Sequence, residues 1–164
     1  MIPLRDEDRP PIVPWATLGL LAACAAVFAY QLTLRGDAAQ AFVDAWVLDP
    51  HRLGVTRLYT LLTSAFIHAT WGHIVSNLLF LWVFGPGVEE RSGGVRFLAL
   101  YLACALAGAL AYLWWPGGPD TPLVGASGAI SGVLGAALVL RPRAHLRVAV
   151  LAVVVPVGVT RLQT

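Results

Sequence analysis

Long stretches without a single charged residue constrain this chain more than any other feature of its sequence. No Asp, Glu, Lys or Arg occurs in residues 10–34, 58–88, 97–119 or 121–140, and a shorter stretch covers residues 148–160. Each of the four longer stretches can hold a helix of about 17 to 25 residues, the length that crosses the hydrocarbon core of a bilayer. The composition agrees, because 58% of the residues are hydrophobic and only 12% are charged. The sequence therefore predicts an all-α, polytopic transmembrane helical bundle.

The turn residues and charges divide the chain into a leader and a membrane domain. Residues 1–14 form a polar, proline-rich leader, and residues 15–164 form the membrane domain. We expect spans at about 15–33, 71–84, 97–115 and 125–140, with a fifth that begins near residue 148. The second span is predicted to end at Gly85-Pro86-Gly87, because proline and glycine interrupt helices. Residues 89–96 then form a charged loop.

The connection between the first two spans, residues 35–70, mixes charges with apolar patches. Three arginines and three aspartates alternate there with segments such as Trp46-Val47-Leu48 and 58–66. A segment that is amphipathic throughout is more stable in the membrane interface than free in water. We therefore expect a structured, partly embedded connection.

The arginines also predict an orientation. They occur in the leader and in the loops after spans two and four, whereas the loop after span three has none. By the positive-inside rule the leader and the two arginine-bearing loops are cytoplasmic, although three arginines in residues 35–57 count against this. The first turns of spans two and four then lie together at the outward face.

Three polar side chains are expected to meet at that face. His73 and Asn77 lie four residues apart and share one face of span two, while Ser127 opens span four. Polar groups at this depth are costly unless they are paired, so they indicate a functional site or hydrogen bonds that only hold the bundle together. For Ser127 alone, packing is the simpler interpretation, because Gly128 and Gly132 form a G-x-x-x-G step that lets helices approach closely.

Other classes of function find little support in the composition. The net charge is +2 and every basic residue is arginine, so nothing indicates a nucleic-acid surface. Cys24 and Cys104 fall in predicted spans, where cysteine packs as a small hydrophobic residue. The spacing of His68 and His73 is not that of a zinc-binding helix. A transporter would need an ionisable residue at mid-membrane or a paired repeat, and the sequence shows neither.

Several motifs resemble, in the same order, those of the rhomboid intramembrane serine proteases. They are Phe66-x-His68-x4-His73-x3-Asn77 entering span two, Leu81-Trp82-Val83-Phe84-Gly85 closing it, Val88-Glu89-Glu90-Arg91 in the next loop, and Gly125-Ala126-Ser127-Gly128 opening span four. The resemblance covers nearly the whole chain. It is specific as a combination, although no single piece is.

The resemblance implies a bundle of six core helices with a water-filled cavity open to the outward face. In such enzymes the serine at the position of Ser127 attacks a peptide bond of a membrane-anchored substrate. The residues that match His73 and Asn77, with backbone N–H groups near the serine, hold the developing oxyanion. Donors placed in advance in a low-dielectric site stabilise such a charge strongly, which agrees with this assignment.

The resemblance also implies supporting residues and a setting. Gly125 and Gly128 would allow close approach, and His68 would support the loop before span two. We expect no cofactor and no metal, and we expect transmembrane protein substrates and the lipid bilayer as partners. The location that follows is a bacterial inner membrane, with the N-terminus cytoplasmic.

Two departures from the family pattern matter. The family's general base is a histidine on the sixth span, and the 164 residues end in the fifth, with no match at His51, His68, His73 or His145. Tyr59-Thr60 stands where many members have Trp-Arg, which concerns the anchoring of that loop. The missing base leaves open a second function, a non-catalytic rhomboid-like protein that binds transmembrane clients.

We therefore expect the 164-residue chain itself to cleave a model transmembrane substrate slowly or not at all. Loss of one member of a catalytic triad generally costs several orders of magnitude in rate. The measurement is cleavage in detergent or vesicles, with Ser127→Ala as the background. Cleavage that this substitution abolishes would contradict the expectation.

Overall fold

Helices dominate the computed structural model, which describes residues 2–6, 13–115, 121–140 and 146–149. The helices are α1 Trp15–Thr33, α2 Gly36–Trp46, α3 Thr60–Thr63, α4 Trp71–Ser92, α5 Gly94–Trp114 and α6 Ser127–Leu140, with short 3-10 turns at Pro50–Arg52, Val55–Arg57 and Ser64–Phe66. Strands β1 Ile2–Asp6 and β2 Leu146–Ala149 pair antiparallel. The all-α transmembrane bundle predicted from the sequence is confirmed, and the strand pair is an addition that the sequence did not indicate.

Three helices are long and apolar enough to cross a membrane: α1, α4 and α5. Helix α6 is also apolar but has only 14 residues. The predicted fifth span lies outside the described residues, except that Val148 and Ala149 belong to β2 instead of a helix. The chain is therefore a multi-pass integral membrane protein, with three long spans and one shorter apolar helix in the part that the structure describes.

A buried carboxylate joins the start of α1 to the end of α4. Glu89, which is 1% exposed, accepts hydrogen bonds from the backbone N–H groups of Ala16 (2.9 Å) and Thr17 (2.8 Å), and from the Thr17 hydroxyl (2.8 Å). These amides lie in the first turn of α1, where a helix has no internal partners for its N–H groups. A carboxylate there also complements the positive end of the helix dipole.

The prediction that the second span stops at Gly85-Pro86-Gly87 was wrong. Helix α4 continues through Pro86 to Ser92 and ends where Gly93 adopts a positive φ of 80°. Residues 85–89 are all buried, and a side chain at Gly85 would lie 2.8 Å from Thr17 Cγ2. Packing against α1 and the bonds of Glu89 thus hold this segment helical, and prolines are tolerated in membrane helices that have such support. Glu89 is part of the core and not of a charged loop.

Helices α5 and α6 approach each other closely because small residues face each other. A Cβ added to Gly108 would lie 3.1 Å from the Cα of Gly128, and one added to Gly132 would collide with the Cys104 side chain. The G-x-x-x-G step of α6 is therefore a packing surface for α5, as the packing interpretation of the sequence required.

Residues 35–70 form a structured connection. The last three carbonyl groups of α2 each accept a hydrogen bond from a downstream side chain: Asp44 O from Arg57, Ala45 O from Tyr59 at 2.6 Å, and Trp46 O from Thr63 at 2.8 Å. These bonds satisfy the carbonyls that have no partner inside the helix. They also show what Tyr59 does in this chain, namely fasten α2 to α3. The depth of the segment in a membrane stays a prediction.

We expect Glu89→Ala to destabilise the protein by about 2 kcal/mol or more, because a single hydrogen bond to a charged group contributes about 1.5 to 3 kcal/mol. The matched control is Glu90→Ala, since Glu90 is the neighbouring carboxylate on the same helix and is half-buried. Thermal unfolding in detergent measures both. Equal midpoints for the two variants would show that the bonds to α1 contribute nothing.

Candidate active site

The first turns of α4 present His73 and Asn77. The Thr70 hydroxyl accepts a hydrogen bond from the backbone N–H of His73 (3.2 Å) and so caps the helix. His73 is half-buried, and Asn77, one turn further, is 7% exposed. The cap therefore fixes the point at which α4 begins and, with it, the face that carries both side chains.

Gly125 brings these side chains to the start of α6. Its φ is +105°, a conformation that favours glycine. A Cβ at this position would collide with the His73 ring and lie 3.6 Å from Nδ2 of Asn77. The backbone of Gly125 thus lies directly against both residues, and the sequence prediction that spans two and four begin at one face is correct.

The segment before Ser127 is fastened at three points. Leu123 N–H donates to Leu48 O (2.8 Å), Gly125 N–H donates to Ser64 O (2.9 Å), and the Tyr112 hydroxyl donates to Thr121 O (2.6 Å). Their partners belong to the connection between α1 and α4 and to α5. These bonds hold residues 121–126 in place, and the Thr121 hydroxyl makes a further hydrogen bond with the Tyr112 hydroxyl (3.1 Å).

Ser127 is the first residue of α6 and is exposed. It borders a cavity of about 260 Å³ together with Gly125, Gly128, Ser64 and residues of α5. His73 and Asn77 are not among the residues that border this cavity, and they reach its edge through Gly125. The site therefore combines the exposed Ser127 hydroxyl, the cavity beside it, and the side chains of His73 and Asn77, which lie against Gly125.

Asn77 carries an unused hydrogen-bond donor. Its Nδ2 atom is buried and has no hydrogen-bond partner among the residues that the structure describes. Leaving a buried donor unpaired costs about 1 to 3 kcal/mol, and such groups in native proteins call for an explanation. A donor that stays free until a reacting oxygen arrives is one explanation.

The His68 side chain packs against the His73 ring. It is 1% exposed, and its ring meets the His73 ring edge-to-face at a centroid distance of 5.2 Å. Its backbone is held by Gln31 of α1, whose side-chain amide donates to His68 O (3.2 Å) and accepts from His68 N–H (3.3 Å). Burial, with the nearby charge of His73, lowers the pKa of His68 to about 4. His68 is therefore a neutral side chain that packs against His73.

The structure thus groups the predicted site residues around one glycine, while their catalytic roles stay predictions. Gly128 differs in part from expectation, since it borders the cavity but also packs on α5. Sequence reasoning missed Gln31 and Ser64, although Gln31 is the one amide side chain in the first span and could have been noticed. His51 is exposed and lies in the 3-10 turn Pro50–Arg52, and His145 lies outside the described residues.

Comparison with known proteins identifies relatives over most of the chain. The family profile of the Rhomboid domain matches residues 55–162. RHOMBOID-like protein 12, mitochondrial, of Arabidopsis thaliana is 35% identical over 159 residues, which are 87% of this chain and 44% of the relative. Rhomboid protein 1, mitochondrial, of Saccharomyces cerevisiae is 38% identical over 96 residues, 56% of this chain and 28% of the relative.

A bacterial relative is similar over about half of the chain. Rhomboid protease GluP of Bacillus subtilis is 42% identical over 81 residues, which are 49% of this chain and 15% of the relative. The chain therefore spans less than half the length of each of these three relatives.

The lowered pKa of His68 predicts a pH-dependent stability. Between its ordinary pKa of about 6.5 and the folded value, the unfolded chain binds a proton at His68 that the folded chain does not. We expect the thermal midpoint to fall as the pH is lowered from 6.5 to about 4, the folded pKa, and this residue to contribute no further loss below that. His68→Leu should flatten the profile, whereas His51→Gln, at an exposed site, should not. A profile unchanged by His68→Leu would refute the assignment.

Proposed function

Because the chain belongs to the rhomboid family, we propose that it is an intramembrane serine endopeptidase with Ser127 as its nucleophile. The family includes proteins named as rhomboid proteases, among them GluP. The observation that carries the proposal is the free Nδ2 donor of Asn77, buried beside Gly125 at the start of the helix that Ser127 opens.

In this mechanism the Ser127 hydroxyl oxygen attacks the carbonyl carbon of the scissile peptide bond. The carbonyl oxygen gains negative charge, and Asn77 Nδ2–H and the His73 ring supply hydrogen bonds to it. The first N–H groups of α6 add to this, since the start of a helix has unpaired N–H groups and a positive dipole end. The C–N bond then breaks as the base passes the proton it took from Ser127 to the leaving amine, and water hydrolyses the acyl-enzyme.

Glycines make room for the substrate. Gly125 and Gly128 flank Ser127 within one turn, and both border the cavity beside it. Without side chains there, a peptide backbone is able to reach the hydroxyl. The backbone N–H of Gly125 also donates a hydrogen bond to Ser64 O, which holds this side of the cavity in place.

A serine hydroxyl becomes a useful nucleophile only when a base accepts its proton. His68 is poorly suited, because its pKa of about 4 makes it a weak base and its ring is enclosed. His73 is assigned to the oxyanion. The family pattern assigns the base to a histidine of the sixth span, and we propose the same for the active enzyme.

We propose membrane-anchored proteins as substrates and the outward membrane face as the place of cleavage. The bacterial inner membrane with a cytoplasmic N-terminus is our proposal for the location. Its support is the distribution of arginine, with Arg91 in the last turn of α4, Arg96 in the first turn of α5 and no basic residue in 116–122. Relatives occur in mitochondria as well as in Bacillus subtilis, so the orientation needs its own test by labelling of engineered cysteines.

The test uses the complete gene product in lipid vesicles with a model membrane-anchored substrate. We expect Ser127→Ala to abolish cleavage and Asn77→Ala to lower kcat by about 10² to 10³-fold, the cost of one oxyanion donor. The matched control is Ser131→Ala, one turn further on α6, where the hydroxyl donates only to Ser127 O (2.8 Å). This variant should keep most of the activity.

Labelling by a fluorophosphonate reports the nucleophile independently of substrate choice. Labelling that Ser131→Ala removes and Ser127→Ala retains would contradict the assignment. Absence of both cleavage and labelling, with client proteins still bound equally by wild type and Ser127→Ala, would favour the non-catalytic alternative.

A further inference from the structure

An apolar cavity of about 280 Å³ lies between α1, α2 and the segment that follows α3. It is separate from the cavity beside Ser127 and shares no residue with it. The residues that border it are Val27, Phe42, Trp46, Thr63, Phe66 and Ile67. They come from α1, α2, the last residue of α3 and the segment that follows it.

The wall offers almost nothing to a polar ligand. Thr63 carries the one hydroxyl among the lining side chains, and that hydroxyl already donates to Trp46 O at 2.8 Å. A peptide backbone or a lipid headgroup placed here would lose its hydrogen bonds to water and find no replacement, which is costly. The chemistry of the wall therefore selects hydrocarbon.

The bilayer around α1, which contributes Val27 to this wall, supplies hydrocarbon. The chain is an integral membrane protein, and α1 is one of its long apolar helices. Aromatic side chains of the type that settle at the membrane interface stand at the edge: Trp46 is 46% exposed, and the exposed ring of Tyr30 contacts Phe42 at a centroid distance of 5.8 Å. An empty apolar cavity also forfeits the dispersion contacts of its lining atoms.

From these observations we infer that an acyl chain of a membrane phospholipid occupies the cavity between α1 and α2. The inference goes beyond the proposed protease function and does not depend on it. The bound chain would pack against Phe66 and Ile67, which directly precede His68. Because Gln31 fixes the backbone of His68 and His68 packs on His73, the lipid would support the segment that carries the candidate oxyanion residues.

The experiment is photo-crosslinking in phosphatidylcholine vesicles that contain a small fraction of lipid with a diazirine in the acyl chain and no substrate. We expect adducts to concentrate on the lining residues, several-fold above Leu106 and Leu110, which are exposed on α5. Val27→Phe should fill the cavity and lower adduct yield at Phe42 at least threefold. Ala26→Phe, an exposed neighbour on the same helix, should leave that yield unchanged.

Several outcomes would overturn the inference. Adducts spread evenly over the lipid-facing surface would indicate ordinary annular lipid, as would a Val27→Phe protein that labels like wild type. Loss of the adducts when a substrate span is added would assign the cavity to the substrate, and protein–protein adducts would assign it to a second copy. Because Ser127→Ala should label like wild type, this result is independent of whether the chain is a protease.

Discussion

A polar group in a membrane core is costly unless it has a partner inside the protein, and two such pairings position the helices of this structure. At one end of the bundle Glu89 supplies acceptors to the first amides of α1. At the other end the Gln31 side chain pairs with both backbone groups of His68. The two contacts lie near opposite ends of α1 and fix its position along α4. These two contacts therefore also position His73 and Asn77, which lie at the start of α4.

The sequence predicted the features that depend on local pattern. Uncharged stretches of sufficient length gave the spans, and the parity of the spans put His73, Asn77 and Ser127 at one face. The sequence could not predict that α4 continues through Pro86. That outcome depends on Thr17 of α1, which packs against Gly85 and donates a hydrogen bond to Glu89 although it is distant from both in the chain. For the same reason Glu89 appeared to be a loop charge, since a carboxylate next to a second carboxylate and an arginine is usually solvated.

In the candidate site, too, the sequence predicted which residues matter but not the contacts that position them. The residue types and their order identified Ser127, His73 and Asn77, but the geometry that joins them is carried by backbone. Gly125 takes a positive φ, and the carbonyl groups of Leu48 and Ser64 hold its segment. Backbone acceptors leave no signature in side-chain identity, so neither Leu48 nor Ser64 could be named from the sequence.

The glycines of the small-residue run 125–135 meet different packing partners. Gly128 and Gly132 are explained by α5, because a side chain at either would disturb the contact with Gly108 or Cys104. Gly125 precedes α6 and needs glycine for two other reasons: its φ is +105°, and a Cβ there would collide with the His73 ring. Backbone conformation and packing thus account for Gly125, Gly128 and Gly132. They do not account for the buried Nδ2 donor of Asn77, which has no partner among the described residues and on which the proposed catalytic role depends.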